Sequence, residues 1–271
     1  MPCRQIIVRP SRTALALRDL REGLGRFWLW GLLAWSDIKQ RYRGSVLGPF
    51  WLTLSSAIMI GSLGFLYAHL FKTNVAAYLP ALSLGILVWG LVSTMMSEAC
   101  TAFFTVDHII KQIRLPLSIY IYRNVARNLM IFGHNIVVSV VVLAWFRIPV
   151  GWLDLLAVPG LLMVLATGVP LGLILALACA RFRDMPQIVA SLLQVVFFVT
   201  PIMWDRSLLG EHLWLANFNP FNAYIDIVRA PLLDQLPDPA SWPMAASVFV
   251  LCWLVAIPFF ARSRARVAYW M

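Results

Sequence analysis

Apolar residues in this chain gather into six uncharged blocks, 44–68, 73–97, 128–146, 155–180, 185–204 and 239–261, each at least nineteen residues long. A bilayer core of about 30 Å is crossed by about twenty residues of helix, so every block is long enough to span. None shows the short apolar/polar alternation of a barrel strand. A backbone in lipid must also satisfy its own polar groups, which predicts α-helical spans. The expected fold is an all-α integral membrane protein, 1–271 as a single domain. Its six transmembrane helices fall at about 47–70, 79–105, 124–146, 155–180, 186–203 and 241–261.

The segments between the blocks carry their own patterns. Over 28–43, Trp28, Leu32, Trp35, Ile38 and Tyr42 recur at spacings of three and four, with Asp37, Gln40, Arg41 and Arg43 mainly on other faces. This predicts an N-terminal amphipathic helix lying in the membrane interface, preceded by a tail over 1–27. Residues 107–116, DHIIKQIRLP, set Ile109, Ile110 and Ile113 against Asp107, Lys111, Gln112 and Arg114, a short helix parallel to the membrane ended near Pro116. Between the fifth block and the last, the uncharged run 212–225 is too short to cross. Asn219 suits an N-cap, Pro220 the first helical position and Pro231 a stop, so 204–235 is expected to form two short re-entrant helices before the last span. Gly168 and Gly172 flank Pro170, a pair that permits close helix packing and a kink.

A net charge of +10 would suggest nucleic acid for a soluble chain, but with 61% hydrophobic residues and a mean hydropathy of +0.79 the placement of charge matters more. Eighteen Lys and Arg fall on the side of the N-terminus, and only Lys72, Arg147, Arg206 and Arg229 on the other. The positive-inside rule then puts both termini, including 262–271, in the cytoplasm. Asp205, Glu211, Asp226, Asp234 and Asp238 lean outward. The first 25 residues hold five arginines and no apolar core, so they do not read as a cleavable signal. Cys3, Cys100, Cys179 and Cys252 form no CxxC pair and read as small residues rather than external disulfides.

Catalytic motifs are missing. The lysines are Lys39, Lys72 and Lys111, and none follows a glycine, so the chain lacks the phosphate-binding loop an ATPase needs. His69, His108, His134 and His212 lie in four segments without HExxH or clustered carboxylates, and no cofactor or metal site is expected. Intramembrane ionisable groups point to function, and Glu98 at the inner end of the second span is the clearest. It either reaches the inner interface or pairs with Arg123 or Arg127. His134 and Asn135 read as helix–helix hydrogen-bonding residues, and the tryptophans as interfacial belts or stacking surfaces for sugars.

The segment LAWSDIKQRYRGSVLGPFWLTLSS, 33–56, resembles the opening signature of the permease subunits of ABC polysaccharide exporters, the family that exports O-antigen, group 2 capsule and teichoic acid. Similar too are the inward segment ending in RLP, the turn RFRDMPQI with TPIMW closing the fifth block, and NPFNAYIDIVR near the outer face. The resemblance implies a homodimer in the bacterial inner membrane, served by two copies of a separate ATPase chain that binds ATP and Mg. It implies an ATPase-coupling role for Asp107, Ile110, Lys111, Arg114 and Pro116, and a bracing role for the interface helix with Trp35, Arg41, Tyr42 and Arg43. It implies outer gate helices carrying Trp204, Asn219, Pro220, Tyr224 and Arg229. The implied substrate is a polysaccharide linked to undecaprenyl pyrophosphate, or to phospholipid in the capsule branch, and Arg41, Arg43, Arg123 and Arg127 are candidates to meet its phosphates. YRNVARNLMIFGHN favours the O-antigen branch. A capsule exporter, a drug or small-lipid exporter of the same fold, and a membrane-embedded glycan or lipid transferase are the alternatives.

Overall fold

The computed structural model describes residues 11–44, 48, 50–70, 74–204, 206, 210 and 212–270. Cys3, Lys72, Asp205 and Glu211 lie outside them, as do 45–47 of the segment 33–56 and 207–209 of the predicted gate. The described residues form helices and turns without strands. In chain order they are α1 (Arg12–Gly25), α2 (Phe27–Arg41), α3 (Phe50–Leu70), α4 (Val75–Thr101), α5 (Asp107–Gln112) and α6 (Ser118–Trp145). There follow α7 (Ala157–Arg181), α8 (Met185–Val199), α9 (Leu213–Asn217), α10 (Pro220–Arg229), α11 (Ser241–Ser263) and α12 (Val267–Trp270).

Four stretches among the described residues are long and apolar enough to cross a membrane: Val75–Thr101, Ser118–Trp145, Trp152–Arg181 and Ser241–Trp270. Thr53–Tyr67, within α3, and α8 are shorter apolar helices. α8 ends at Val199, four residues before the expected limit of 203, because Thr200 precedes Pro201 and takes an extended conformation (φ −85°, ψ 134°). Other boundaries also move, the second span running Val75–Thr101 rather than 79–105. The tail 1–27 contains α1, whose N-terminus is capped by Ser11 Oγ accepting from Ala14 N at 3.1 Å. The 107–116 helix stops at Gln112, Ile113 being extended (φ −120°, ψ 128°), and α6 begins at Ser118 rather than near 124. Gly44 (φ 84°) and Gly48 (φ 54°) carry the chain from α2 towards α3 through left-handed conformations that side chains disfavour.

α4 is the central pillar, packed against α3, α6, α7, α8 and α10. Its buried Leu84, Val88, Val92 and Met95 meet Phe132 of α6, Val164 and Leu175 of α7, and Ile225 of α10. A second core at the α5 end joins Ala16 and Leu20 of α1 to Phe103, Ile121, Leu177 and Phe260. Close approach depends on α7's glycines, as expected from small residues at helix interfaces. Cβ atoms placed at Gly168 and Gly172 would lie 3.1 Å from Met95 Sδ and from Ile121 Cγ2, and one at Gly160 only 2.4 Å from the Ile227 carbonyl oxygen.

What starts α6 is a long-range cap. Asp19 of α1, 2% exposed, accepts from Leu117 N at 3.2 Å and Ser118 N at 3.1 Å, and from Arg264 Nε at 2.7 Å. Ser118 Oγ donates to the Asp19 carbonyl at 2.8 Å. One buried carboxylate thus joins the N-terminal helix, the first turn of α6 and the segment after α11.

Gly160→Ala must displace α10 backbone, and overpacking of this kind costs about 1–3 kcal/mol. The expected outcome is a thermal midpoint lowered by several degrees in detergent, followed by tryptophan fluorescence. Gly90→Ala, with nothing within 4 Å of its Cβ, should leave the midpoint in place.

Candidate functional site

The i,i+4 spacing of Arg123 and Arg127 sets two guanidiniums on one face of α6, with Asn124 and Asn128 one residue further round. α2 crosses that face with Asp37 and Arg41, and α4 delivers Glu98 from its last turn. Arg123 holds Asp37 bidentately, its Nε donating at 2.7 Å and its Nη2 to the other oxygen. Arg127 bridges the two acids, donating Nη1 to Asp37 at 2.9 Å and Nη2 to Glu98 at 2.7 Å. Arg41 Nη2 reaches the other Glu98 oxygen at 2.9 Å, and Asn128 Nδ2 donates to Glu98 Oε2 at 2.7 Å. Asn124 fixes the floor by donating to the Met95 carbonyl at 2.9 Å.

Burial makes this cluster stronger than a surface ion pair. The side chains of Arg123 and Arg127 are 19% exposed, Asp37 14% and Glu98 20%, whereas Arg41 at 46% forms the wet rim. Three guanidiniums face two carboxylates, so the cluster retains one positive charge at the end of the helix bundle.

From this cluster a cleft of about 260 Å³ runs between α3, α4, α6 and α8. Arg41, Glu98 and Asn128 form its charged end; Thr94 and Asn135 lie along it, and Trp89 and Phe197 give it an aromatic side. The Oδ1 atoms of Asn128 and Asn135 are buried and accept no hydrogen bond among the described residues. Trp89 packs 5.6 Å from Phe197 and 5.7 Å from Phe221 of α10, centroid to centroid. His134 donates Nδ1 to its own helix at Met130 O, 2.8 Å away.

At the α10 end, Asn219 caps α10 by accepting from Phe221 N at 3.0 Å and donates to Thr200 Oγ1 at 2.9 Å, with Pro220 in the first turn. Tyr224 donates to the Ala245 carbonyl at 3.0 Å and lies 2.9 Å from Thr167 Oγ1. Arg229 donates to the Pro201 carbonyl at 3.0 Å, and Trp204 Nε1 to Phe198 O at 3.0 Å. Arg206 faces Asp226 at 3.2 Å and Asp238 at 3.5 Å. On α5, Asp107 pairs with Lys111 at 3.0 Å, and that ammonium holds the Asp107 carboxyl below its usual range. Ile110 is half buried; Arg114 is exposed, and Pro116 is buried beside the start of α6.

The sequence therefore named four members of the charged cluster, Arg41, Glu98, Arg123 and Arg127, and the structure brings them together. Trp35 and Arg43 stay outside it, exposed, with Tyr42 half buried behind them. Asp37, the acid shared by two arginines, and Asn128 were missed as members, although Asp37 and Arg41 stand at the same i,i+4 spacing as Arg123 and Arg127.

The model of the family described as ABC-2 type transporter matches residues 29–233, from α2 through α10. The chain belongs to the ABC-2 type transporter family. Among its relatives is the O-antigen export system permease protein RfbA of Myxococcus xanthus, 27% identical over 83% of this chain and 89% of that protein. The protein of the same description from Klebsiella pneumoniae is 23% identical over 70% of this chain and 74% of that one. For this ABC-2 chain the matched span holds the whole charged cluster and leaves α1, α11 and α12 outside.

Because Arg127 contacts both acids, Asp37→Asn and Glu98→Gln should not act independently. Their double-mutant coupling is expected at about 1–3 kcal/mol, measured from unfolding midpoints of the two single variants and the double. Additive losses would show that the bridge does not act as a unit.

Proposed function

We propose that this chain is the membrane-spanning subunit of an ATP-driven exporter that carries O-antigen polysaccharide, linked to undecaprenyl pyrophosphate, across the bacterial inner membrane. The family assignment and the RfbA-named relatives support the transporter class and its cargo. One observation carries the mechanistic reading: a positively charged cluster of three arginines on two acids opens, at Arg41 and Glu98, into a cleft with an indole side. A diphosphate can exchange with the carboxylates for the same guanidinium forks, which suit both anions. Sugar hydroxyls can meet Thr94, and sugar faces can stack on Trp89, along the cleft.

In this reading the chain has six spans, α3 and α8 joining the four longer ones, with both termini in the cytoplasm. α3 has 21 residues. α8 has 15, about 22 Å at 1.5 Å per residue, so the following 200–204 segment completes the crossing. The exposed stripe Ile188, Leu192, Val195 and Val199 on α8 suits a second copy of the chain as well as lipid, which favours a homodimer. The chain supplies no ATPase site. Two copies of a partner ATPase, which binds ATP and Mg, engage the α5 region through Asp107, Ile110, Lys111, Arg114 and Pro116. α9 and α10, with Trp204, Asn219, Pro220, Tyr224 and Arg229, act as gate helices at the outer end.

The tagged chain, purified from its native host in mild detergent, is expected to bring down a phosphate-loop ATPase in 1:1 ratio. A functional chain that purified alone would defeat the exporter reading. Replacing Arg41 and Arg43 together by Gln should reduce surface O-antigen at least about tenfold, the loss expected for about 1.4 kcal/mol of headgroup binding, with protein level unchanged. Unchanged export at unchanged level would remove these two residues from the phosphate role.

A further inference from the structure

A second charged feature lies away from the cleft, at the same end of the bundle but on the α11 side. A cup of about 710 Å³ is walled by the first turns of α1, the extended stretch after α5 and the chain leaving α11. Its volume falls within the roughly 300–1,000 Å³ typical of small-molecule sites. Five arginines line it: Arg12, Arg114, Arg262, Arg264 and Arg266. Asp19 neutralises only Arg264, at 2.7 Å. The other four make no ion pair among the described residues, and nearby acids are already engaged, Glu22 by Arg18 at 2.6 Å and Asp107 by Lys111 at 3.0 Å. Four exposed guanidiniums from three separate segments therefore line one cup without an ion pair among the described residues, a concentration of positive charge that draws an anion.

The wall chemistry narrows that anion. Ile110, Ile113 and Leu117 give the cup an apolar side beneath the arginines. Arg262 stands in the last turn of α11 and Ser118 opens α6, both within apolar stretches long enough to cross a membrane, so the cup sits where a span meets water. Guanidiniums bind phosphate oxygens bidentately, and an apolar wall at that depth suits a glycerol backbone and the first methylenes of an acyl chain. Basic pockets between spans at this level are the usual seats of anionic headgroups.

We propose that the cup binds the phosphate headgroup of an anionic phospholipid, phosphatidylglycerol or cardiolipin, and that this lipid ties α1, the segment after α5 and the C-terminal segment together. The bound phosphate completes the junction that Asp19 begins, because Asp19 holds the same three segments from the inner side. The site is separate from the Arg41–Glu98 cluster and does not depend on the identity of the exported glycan.

The test uses the full chain with its co-purifying partners, reconstituted in nanodiscs containing equal phosphatidylcholine and phosphatidylglycerol. After re-extraction and gel filtration, retained lipid is quantified by mass spectrometry, a readout independent of export and of membrane orientation. Wild type is expected to retain phosphatidylglycerol roughly tenfold over phosphatidylcholine, about 1.4 kcal/mol of preference. Arg262→Gln with Arg266→Gln, and separately Arg12→Gln with Arg114→Gln on the opposite wall, should abolish the preference, while Arg262→Lys with Arg266→Lys keeps part of it. No preference in wild type, or an equal preference in the Gln variants, overturns the proposal. Displacement of the lipid by millimolar sodium pyrophosphate would identify a free phosphate ligand instead. Loss of the partner ATPase from the Arg262→Gln, Arg266→Gln variant, with lipid retention unchanged, would assign the cup to an acidic protein surface.

Discussion

Arg127 can sit at the mouth of an apolar helix bundle because two acids from different helices share it. A guanidinium at 19% exposure has lost most of its water, and burial of that kind is tolerated only when paired charges and hydrogen bonds replace the solvent. Asp37 comes from α2, Glu98 from α4 and Arg127 from α6. The electrostatic requirement of one side chain therefore fixes the relative positions of three helices. Arg123 and Asn128 extend the same solution, each adding donors to an acid already in place. Removing Asp37 would leave Arg123 desolvated without its acid, and removing Arg127 would break the one link between the two acids, so the cluster holds together as a whole.

Asp19 solves a different problem at the same end. The chain breaks between α5 and α6, and the first amides of α6 would be orphaned inside a packed core. Its carboxylate supplies the missing acceptors from nearly a hundred residues away, and the helix dipole favours negative charge there. α1 is polar enough to be read as a tail, yet Ala16 and Leu20 anchor it in the second core so that Asp19 is held at the α6 amides. A local cap stabilises one helix, whereas this one couples the order of α6 to the docking of α1.

Legibility in the sequence followed range. The apolar blocks, four of which form helices long enough to cross, the Asn219-Pro220 start of α10 and the close approach at Gly168 and Gly172 are local or periodic signals that the structure reproduces. The pairing of Glu98 with Arg127 was foreseeable because burial of a lone glutamate demands a cation and few were near. Asp37 was harder, since on an amphipathic helix an acid on a polar face ordinarily means solvent. The early end of α8 was written in Thr200-Pro201 but hidden by the apolar run that continues past it. Asp19 as a cap for Ser118 had no local signal at all, because it depends on how α1 folds back.

The two nodes also bear on how force could pass through the proposed exporter. α5 connects to α6 through five residues, and the first turn of α6 is clamped by Asp19 on one side and, one to two turns later, by Asp37 and Glu98 on the other. A movement applied at α5 cannot be absorbed by fraying of α6, whose end is fully hydrogen-bonded. It must turn or shift the helix, and with it Arg127, which holds Glu98 at the charged end of the cleft. Because Arg41 is the one cluster member nearly half in water, its contact with Glu98 is the weakest and the first to yield. Opening there would leave Glu98 held by Arg127 and Asn128 and free the Arg41 guanidinium at the charged end of the cleft, where a diphosphate headgroup would arrive.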